Sequence, residues 1–302
     1  MHNFDRRTFL RIGAQATATT VLAMSGAAGA ASNEQASRFR KGIKQGMVKL
    51  DGPLLQQFEM LKRLGFEGIE LSQPMDIQEV NQVQRESGLV VHGVITYDQW
   101  EQPLSDPDPG VRKSGLNNLL TSLRDAKAYG ATSVLLVPGR CTKEVSYDVA
   151  YKRSQAGIRE ALPLADELNV DILIENVWND YLYSPLEMVR FIDEFQSPRV
   201  GAYFDVGNSV RYGWPEQWLR ILGSRVKKLD IKEFSRELMN TKGPESGFNV
   251  ELGEGDCDWP AVNRAIVDIG YSGWAAAEMP GGGEERLREI SERMDRVLSA
   301  TS

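Results

Sequence analysis

From residue 43 onward the apolar positions of this chain follow two alternating rhythms. Short apolar runs predict strands at 43–48, 68–71, 89–95, 133–137, 170–175, 200–205, 226–231 and 273–278. Between them, apolar residues recur every third or fourth position. Leu54, Leu55, Phe58, Leu61 and Leu64 share one helical face, as do Leu116, Leu119, Leu120 and Leu123, so each helix has a single stripe to lay on a sheet. Tyr129-Gly130-Ala131, Glu167-Leu168-Asn169 and Asp268-Ile269-Gly270 carry the Gly or Asn that ends a helix. Val134-Leu135-Leu136-Val137 and Ile172-Leu173-Ile174 are apolar without alternation, as strands covered on both faces are.

Eight such cycles favour an α/β fold closed as a (β/α)8 TIM barrel, one domain over residues 42–302. An open doubly wound sheet would carry a glycine-rich phosphate turn after its first strand. Here that strand runs into Lys49-Leu50-Asp51-Gly52-Pro53 instead. The stretches 96–109 and 233–257 hold Pro, Gly, Asp and Asn without a helical period, and are predicted as loops on the C-terminal rim where barrels build their sites.

The N-terminus reads differently. Arg6-Arg7 precedes a mild Ala/Gly/Thr-rich apolar run that ends in Ala28-Gly29-Ala30, an A-x-A cleavage pattern. It resembles a twin-arginine signal peptide over 1–30, followed by a flexible mature N-terminus over 31–41, and places the protein in the periplasm or otherwise outside the cytoplasm. No stable membrane span is expected after cleavage. The net charge of −7 argues against nucleic acid as a partner. The two cysteines, Cys141 and Cys257, have neither disulfide-scaffold density nor CxxC spacing. Assembly into a homo-oligomer is left open.

Candidate chemistry enters at the ends of four successive late strands. Glu175 follows Ile172-Leu173-Ile174, Asp205 follows Tyr203-Phe204, Asp230 follows Lys228-Leu229, and Glu278 follows Ala276-Ala277. A carboxylate there is costly to bury unpaired, and adjacent strands lie about 4.8 Å apart, so four inward-pointing acids could converge on one cation. Each alone could instead cap a helix or pair with a lysine or arginine.

These residues resemble the sugar isomerases and epimerases of the xylose isomerase-like barrel superfamily, particularly the ketose 3-epimerases. The resemblance implies that Glu175, Asp205 and Glu278 hold a divalent metal, with the two glutamates as the acid/base pair. Asp230 stands where that family has a histidine ligand, and Asn208 where it has a substrate-contacting histidine. Lys232 matches a family lysine, and Arg236 matches in spacing an arginine that holds substrate. All-oxygen ligation favours Mn²⁺ or Mg²⁺ over Zn²⁺.

Independently of the resemblance, moving a proton beside a carbonyl needs a base, an acid and an electrophile. Glu175 and Glu278 about a divalent ion could provide these, with Lys232 and Arg236 offsetting surplus negative charge. His92, the only histidine beyond the signal segment, and Glu70 could contact substrate or sit satisfied near the core. Trp178, Trp214 and Trp259 could face a sugar ring, although core packing is the ordinary place for a tryptophan. Glu254 and Asp256 read as turn residues. The expected activity is a metal-dependent isomerase or epimerase acting on a small-molecule sugar, a ketose or keto-sugar, through an enediolate. The alternatives are a metal-dependent lyase or hydratase on oxidised (3-keto) glycosides and a non-catalytic sugar-binding barrel. A metal-dependent nuclease on the same fold is disfavoured by the charge.

The arginine pair makes a direct test. Replacing Arg6 and Arg7 together by Lys should retain the protein in the cytoplasm with its first thirty residues attached, as read by fractionation and N-terminal sequencing. Unchanged export would overturn the signal assignment.

Overall fold

Strands that are apolar on both faces must find cover on both, and here they do so by closing on themselves inside a ring of helices. The computed structural model describes residues 38–300; the arginine pair and the A-x-A site lie outside them. Eight parallel strands form a closed barrel in chain order: β1 (Phe39–Lys44), β2 (Gly68–Leu71), β3 (Val90–Ile95), β4 (Ser133–Leu136), β5 (Asp171–Glu175), β6 (Val200–Asp205), β7 (Val226–Ile231) and β8 (Gly273–Ala277). Closure is made where β1 pairs with β8, from Phe39 opposite Gly273 to Ile43 opposite Ala277. Among the described residues, no helix is long and apolar enough to cross a membrane.

The helical stripes bury as their spacing requires. Phe58 and Leu61 of the helix Leu54–Arg63, and Leu119 and Leu123 of Pro109–Tyr129, are fully covered against the outside of the barrel. The stop signals also act. Gly130 (φ 81°) and Asn169 (φ 55°) end their helices in the left-handed conformation that Gly and Asn tolerate best.

Two boundaries differ from expectation. The first strand is Phe39–Lys44, not 43–48; the chain leaves the sheet after Lys44 in a short 3₁₀ turn, Gln45–Met47. Its start is disguised by charge: Arg40 lies over the Trp274 ring at 4.0 Å and pairs with Glu67, and Lys41 pairs with Asp295. The barrel therefore takes residues 39–41 from the stretch assigned to the N-terminal extension. The segment 233–257 is likewise not all loop. It contains the helix Arg236–Lys242, capped by the Ser235 hydroxyl, and the 3₁₀ turn Pro244–Phe248, both too short for a period to show in sequence.

Inside the barrel, Leu135, Leu173 and Tyr203 make a small apolar cluster. Around it the interior is polar, with Glu70, His92 and Lys228 all buried. A barrel interior filled by branched apolar side chains is the usual arrangement. Here the polar filling leads up to the C-terminal mouth. The segment 96–108, which forms one wall of that mouth, is seated on Gly115 in Pro109–Tyr129; a Cβ there would run into the Gln102 carbonyl oxygen. Gly115→Ala should therefore destabilise the protein by about 1–3 kcal/mol through overpacking against backbone, a loss that thermal melting would register. An unchanged melting temperature would show that the wall yields freely.

Candidate active site

Each strand-end acid is delivered to the mouth by local structure. Asp205 closes β6 and is the N-cap of the five-residue helix Val206–Val210, its Oδ1 accepting from the Asn208 backbone N–H at 2.8 Å. Asn176, next to Glu175, ties β5 to β6, donating to the Asp205 carbonyl and accepting from its N–H, both at 2.8 Å. Asp230 sits opposite Asp205 in the β6–β7 register, and Glu278 follows directly on β8. The outcome is that Glu175, Asp205, Asp230 and Glu278 each offer an oxygen, all within 4.8 Å of one another. The first three are buried, whereas Glu278 keeps 29% of its side chain open to the cavity.

Two lysines enter this cluster. Lys232 Nζ lies 3.0 Å from Asp205 Oδ2 and 3.2 Å from Glu278 Oε1. Lys44, at the end of β1, donates to Asp230 Oδ2 at 2.7 Å and to Glu278 Oε2 at 2.6 Å. Burial opposes the charge on both lysines, but the surrounding carboxylates outweigh it and raise both above the ordinary lysine value. Burial pushes Glu175 up to about 8 and also raises Asp205 and Asp230. Burial acts on Glu278 in the same sense, yet Lys232 and Lys44 together hold it well below the usual carboxylate range.

The cluster suits a divalent cation on two grounds. Four carboxylates against two ammonium groups leave two negative charges, which one dication would neutralise. Buried acceptors are also left over: Asp230 Oδ1 has no hydrogen-bond partner, and Asp205 Oδ2 has an ion pair but no hydrogen bond. All-oxygen donors of this kind are the ligands of hard cations.

A cavity of about 500 Å³ opens above the cluster, walled by Glu175, Glu278, Lys44, Lys232, Asn208, Trp178, Phe248 and, from the segment 96–108, Gln99 and Trp100. Of the residues expected to contact substrate, Lys232, Asn208 and Trp178 line it. Trp178 donates through Nε1 to the Asn208 carbonyl at 3.0 Å and packs on Phe248. The other three lie elsewhere. Arg236 donates to the carbonyls of Val210 at 3.1 Å and Gly213 at 2.6 Å, fixing the turn that follows β6. His92 lies mid-strand in β3, deep in the barrel, stacked on Trp274 at 4.4 Å; burial lowers it, so the ring is neutral and its Nδ1 sits 3.0 Å from Lys228 Nζ. Glu70 is buried in that layer, accepting from the Tyr203 hydroxyl at 3.3 Å. The remaining tryptophans divide: Trp259 is core and donates to Glu233, whereas Trp214 is 54% exposed, with the Arg236 guanidinium over its ring in place of a core.

Sequence reasoning missed Lys44. The apolar run 43–48 holds this lysine near its start, where it carries no signal, whereas the strand itself is Phe39–Lys44 and Lys44 is its last residue. It also missed Asn176, whose value lies wholly in contacts across strands.

A closed parallel barrel with an acidic, cation-ready cavity at the C-terminal ends of its strands has the layout of the barrel enzymes. The chain belongs to the xylose isomerase-like TIM barrel family, whose profile matches residues 58–298. No curated protein matches it in sequence. Among solved structures it is similar to the 3-keto-D-glucoside 4-epimerase YcjR of E. coli, with 17% identity, a TM-score of 0.73, and 87% of this chain and 100% of that one covered. It is also similar to a D-psicose 3-epimerase of Clostridium cellulolyticum H10, at 21% identity and TM-score 0.65 over 87% and 96% of the two chains. An IolI protein with bound zinc aligns at 15% identity and TM-score 0.72 over 86% and 98%. At these identities the likeness is one of fold.

Asp205 closes β6, and its second oxygen makes no hydrogen bond. Asp205→Ala should lose most of the divalent ion found by elemental analysis of the purified protein, with the barrel still folded by circular dichroism. Full occupancy in that variant would count against the site.

Proposed function

We propose that the protein is a metal-dependent sugar isomerase or epimerase that moves a proton at a carbon beside the carbonyl of a ketose or keto-sugar. The observation that carries this reading is the pair Glu175 and Glu278, which face one cavity from β5 and β8 and share one acidic cluster. A divalent ion held by Glu175, Asp205, Asp230 and Glu278, with Mn²⁺ or Mg²⁺ suited to the oxygen set, would supply electrophilic polarisation of the sugar oxygens.

The chain's own residues do the rest. One glutamate takes the proton from carbon, and the other returns a proton from the opposite side; in the reverse direction the roles exchange. Lys232, which lines the cavity, would donate to a substrate oxygen as negative charge develops on it. Trp178 and Phe248 offer apolar surface to the sugar ring's C–H face and keep water from it. The named activities of the solved relatives, a 3-keto-glucoside 4-epimerase and a psicose 3-epimerase, agree with a keto-sugar substrate. Export through the arginine-pair signal favours an unphosphorylated sugar, and no glycine-rich phosphate turn follows the first strand. A second reading on the same residues is loss of a substituent from an oxidised glycoside after the same proton abstraction; the name of the first relative bears on that substrate class, a 3-keto-glucoside, and not on the elimination.

Glu175→Gln and Glu278→Gln keep size and one oxygen but lose the ionisable group. Each should lower turnover by about 10² or more, while the bound metal falls much less. With keto-sugars in heavy water followed by NMR, each variant should keep solvent exchange with one stereoisomer and lose net conversion. Near wild-type conversion by both, metal still bound, would reduce these glutamates to ligands. Binding without exchange in the native protein would make the barrel a sugar-binding protein.

A further inference from the structure

Lys44 is absent from the set of strand-end acids, yet two of them converge on it. Its amine is held between Asp230 Oδ2 and Glu278 Oε2 and lies 5.4 Å from the centre of the Tyr203 ring. The contact to Asp230 reaches from β1 to β7 across the intervening β8. Gly42, Ala276 and Asp230 are in register on those three strands. Gly42 and Ala276 are small, so Lys44, two residues beyond Gly42 and on the same face, can pass over them.

What this contact leaves behind is specific. With Oδ2 engaged by Lys44, the other oxygen of Asp230 is shielded from water and has no partner. Asp205 is divided similarly, one oxygen taken by the Asn208 N–H and the other without a hydrogen bond, although Lys232 lies 3.0 Å from it. A carboxylate whose far oxygen is held by a protein donor presents its near oxygen in a fixed direction, and such outer contacts govern how well a ligand binds its ion.

We propose that Lys44 is a positioning residue of the cation site: it bridges Glu278 Oε2 and Asp230 Oδ2, so that the remaining oxygen of Asp230 is presented to a divalent ion. The proposal rests on the reading of the four acids as a cation site. It makes Asp230 a usable ligand through a partner on a different strand. If Lys44 were only a spare counter-charge, it would compete with the cation, and removing it would tighten binding because the cluster becomes more negative. Positioning requires the opposite sign.

The test is titration of Mn²⁺ alone into the metal-stripped full chain by calorimetry, with circular dichroism to follow the fold. Lys44→Met should weaken Mn²⁺ binding by about 10- to 100-fold. Asp230→Asn should weaken it as well, and the double variant should lose less than the sum of the two single losses, because both changes act on the Lys44–Asp230 contact. Lys44→Gln keeps a hydrogen-bond donor on a chain one bond shorter; it gives the same readout, with a smaller loss, should the methionine variant fail to fold. Mn²⁺ binding equal to or tighter than native in the folded lysine variants, or losses that simply add, would overturn the proposal. If the native chain itself takes up no Mn²⁺, the cation reading falls and this inference falls with it. Native binding that survives loss of Lys44 sinks the positioning role alone.

Discussion

Mutual repulsion among four carboxylates is the constraint on which the site depends. With oxygens within 4.8 Å of one another, each ionised pair repels by roughly 3–4 kcal/mol at an effective dielectric of about 20. Left to themselves, the acids would hold protons, and burial alone drives Glu175, Asp205 and Asp230 in that direction. Lys44 and Lys232 oppose this at 2.6–3.2 Å. They do so incompletely; with all four acids ionised two negative charges would remain, which a dication could neutralise.

The barrel makes the crowding tolerable because it is rigid where the acids are anchored. Parallel pairing fixes Asp205 against Asp230, the Asn176 amide ties the ends of β5 and β6 together, and closure of β1 on β8 brings Lys44 to the far side of the cluster. Beneath lies a second polar layer of Glu70, His92 and Lys228, in which burial pushes the lysine down to about 8. An all-apolar interior would have left the upper acids facing hydrocarbon; this layer gives the barrel interior polar groups beside the small apolar cluster of Leu135, Leu173 and Tyr203.

The loops on the rim have a different task. Glu233 accepts from the backbone of Gly253 and Cys257 and from the Trp259 indole, folding the segment after β7 back over the barrel end. Arg236 similarly fixes the turn after β6 through two carbonyls. These buried polar contacts set where Phe248 and Trp178 stand, and so shape the cavity without entering it.

The amino-acid order by itself determined the alternation of strand and helix, the barrel, the helix stops at Gly130 and Asn169, and the four acids, because each leaves a local mark: a period, a punctuating residue, or a charge at the end of an apolar run. Only the tertiary structure decided where the first strand lies, since Arg40 and Lys41 look like surface residues until Trp274, Glu67 and Asp295 are brought beside them. It alone moved His92, Glu70 and Arg236 out of the cavity and Lys44 into it. Which face of a strand a residue occupies is local, but how deep it sits and what it meets depend on the shear and closure of strands far apart in the chain. Lys44 and Asp230 are separated by 186 positions and meet at 2.7 Å, a distance that no window of sequence contains.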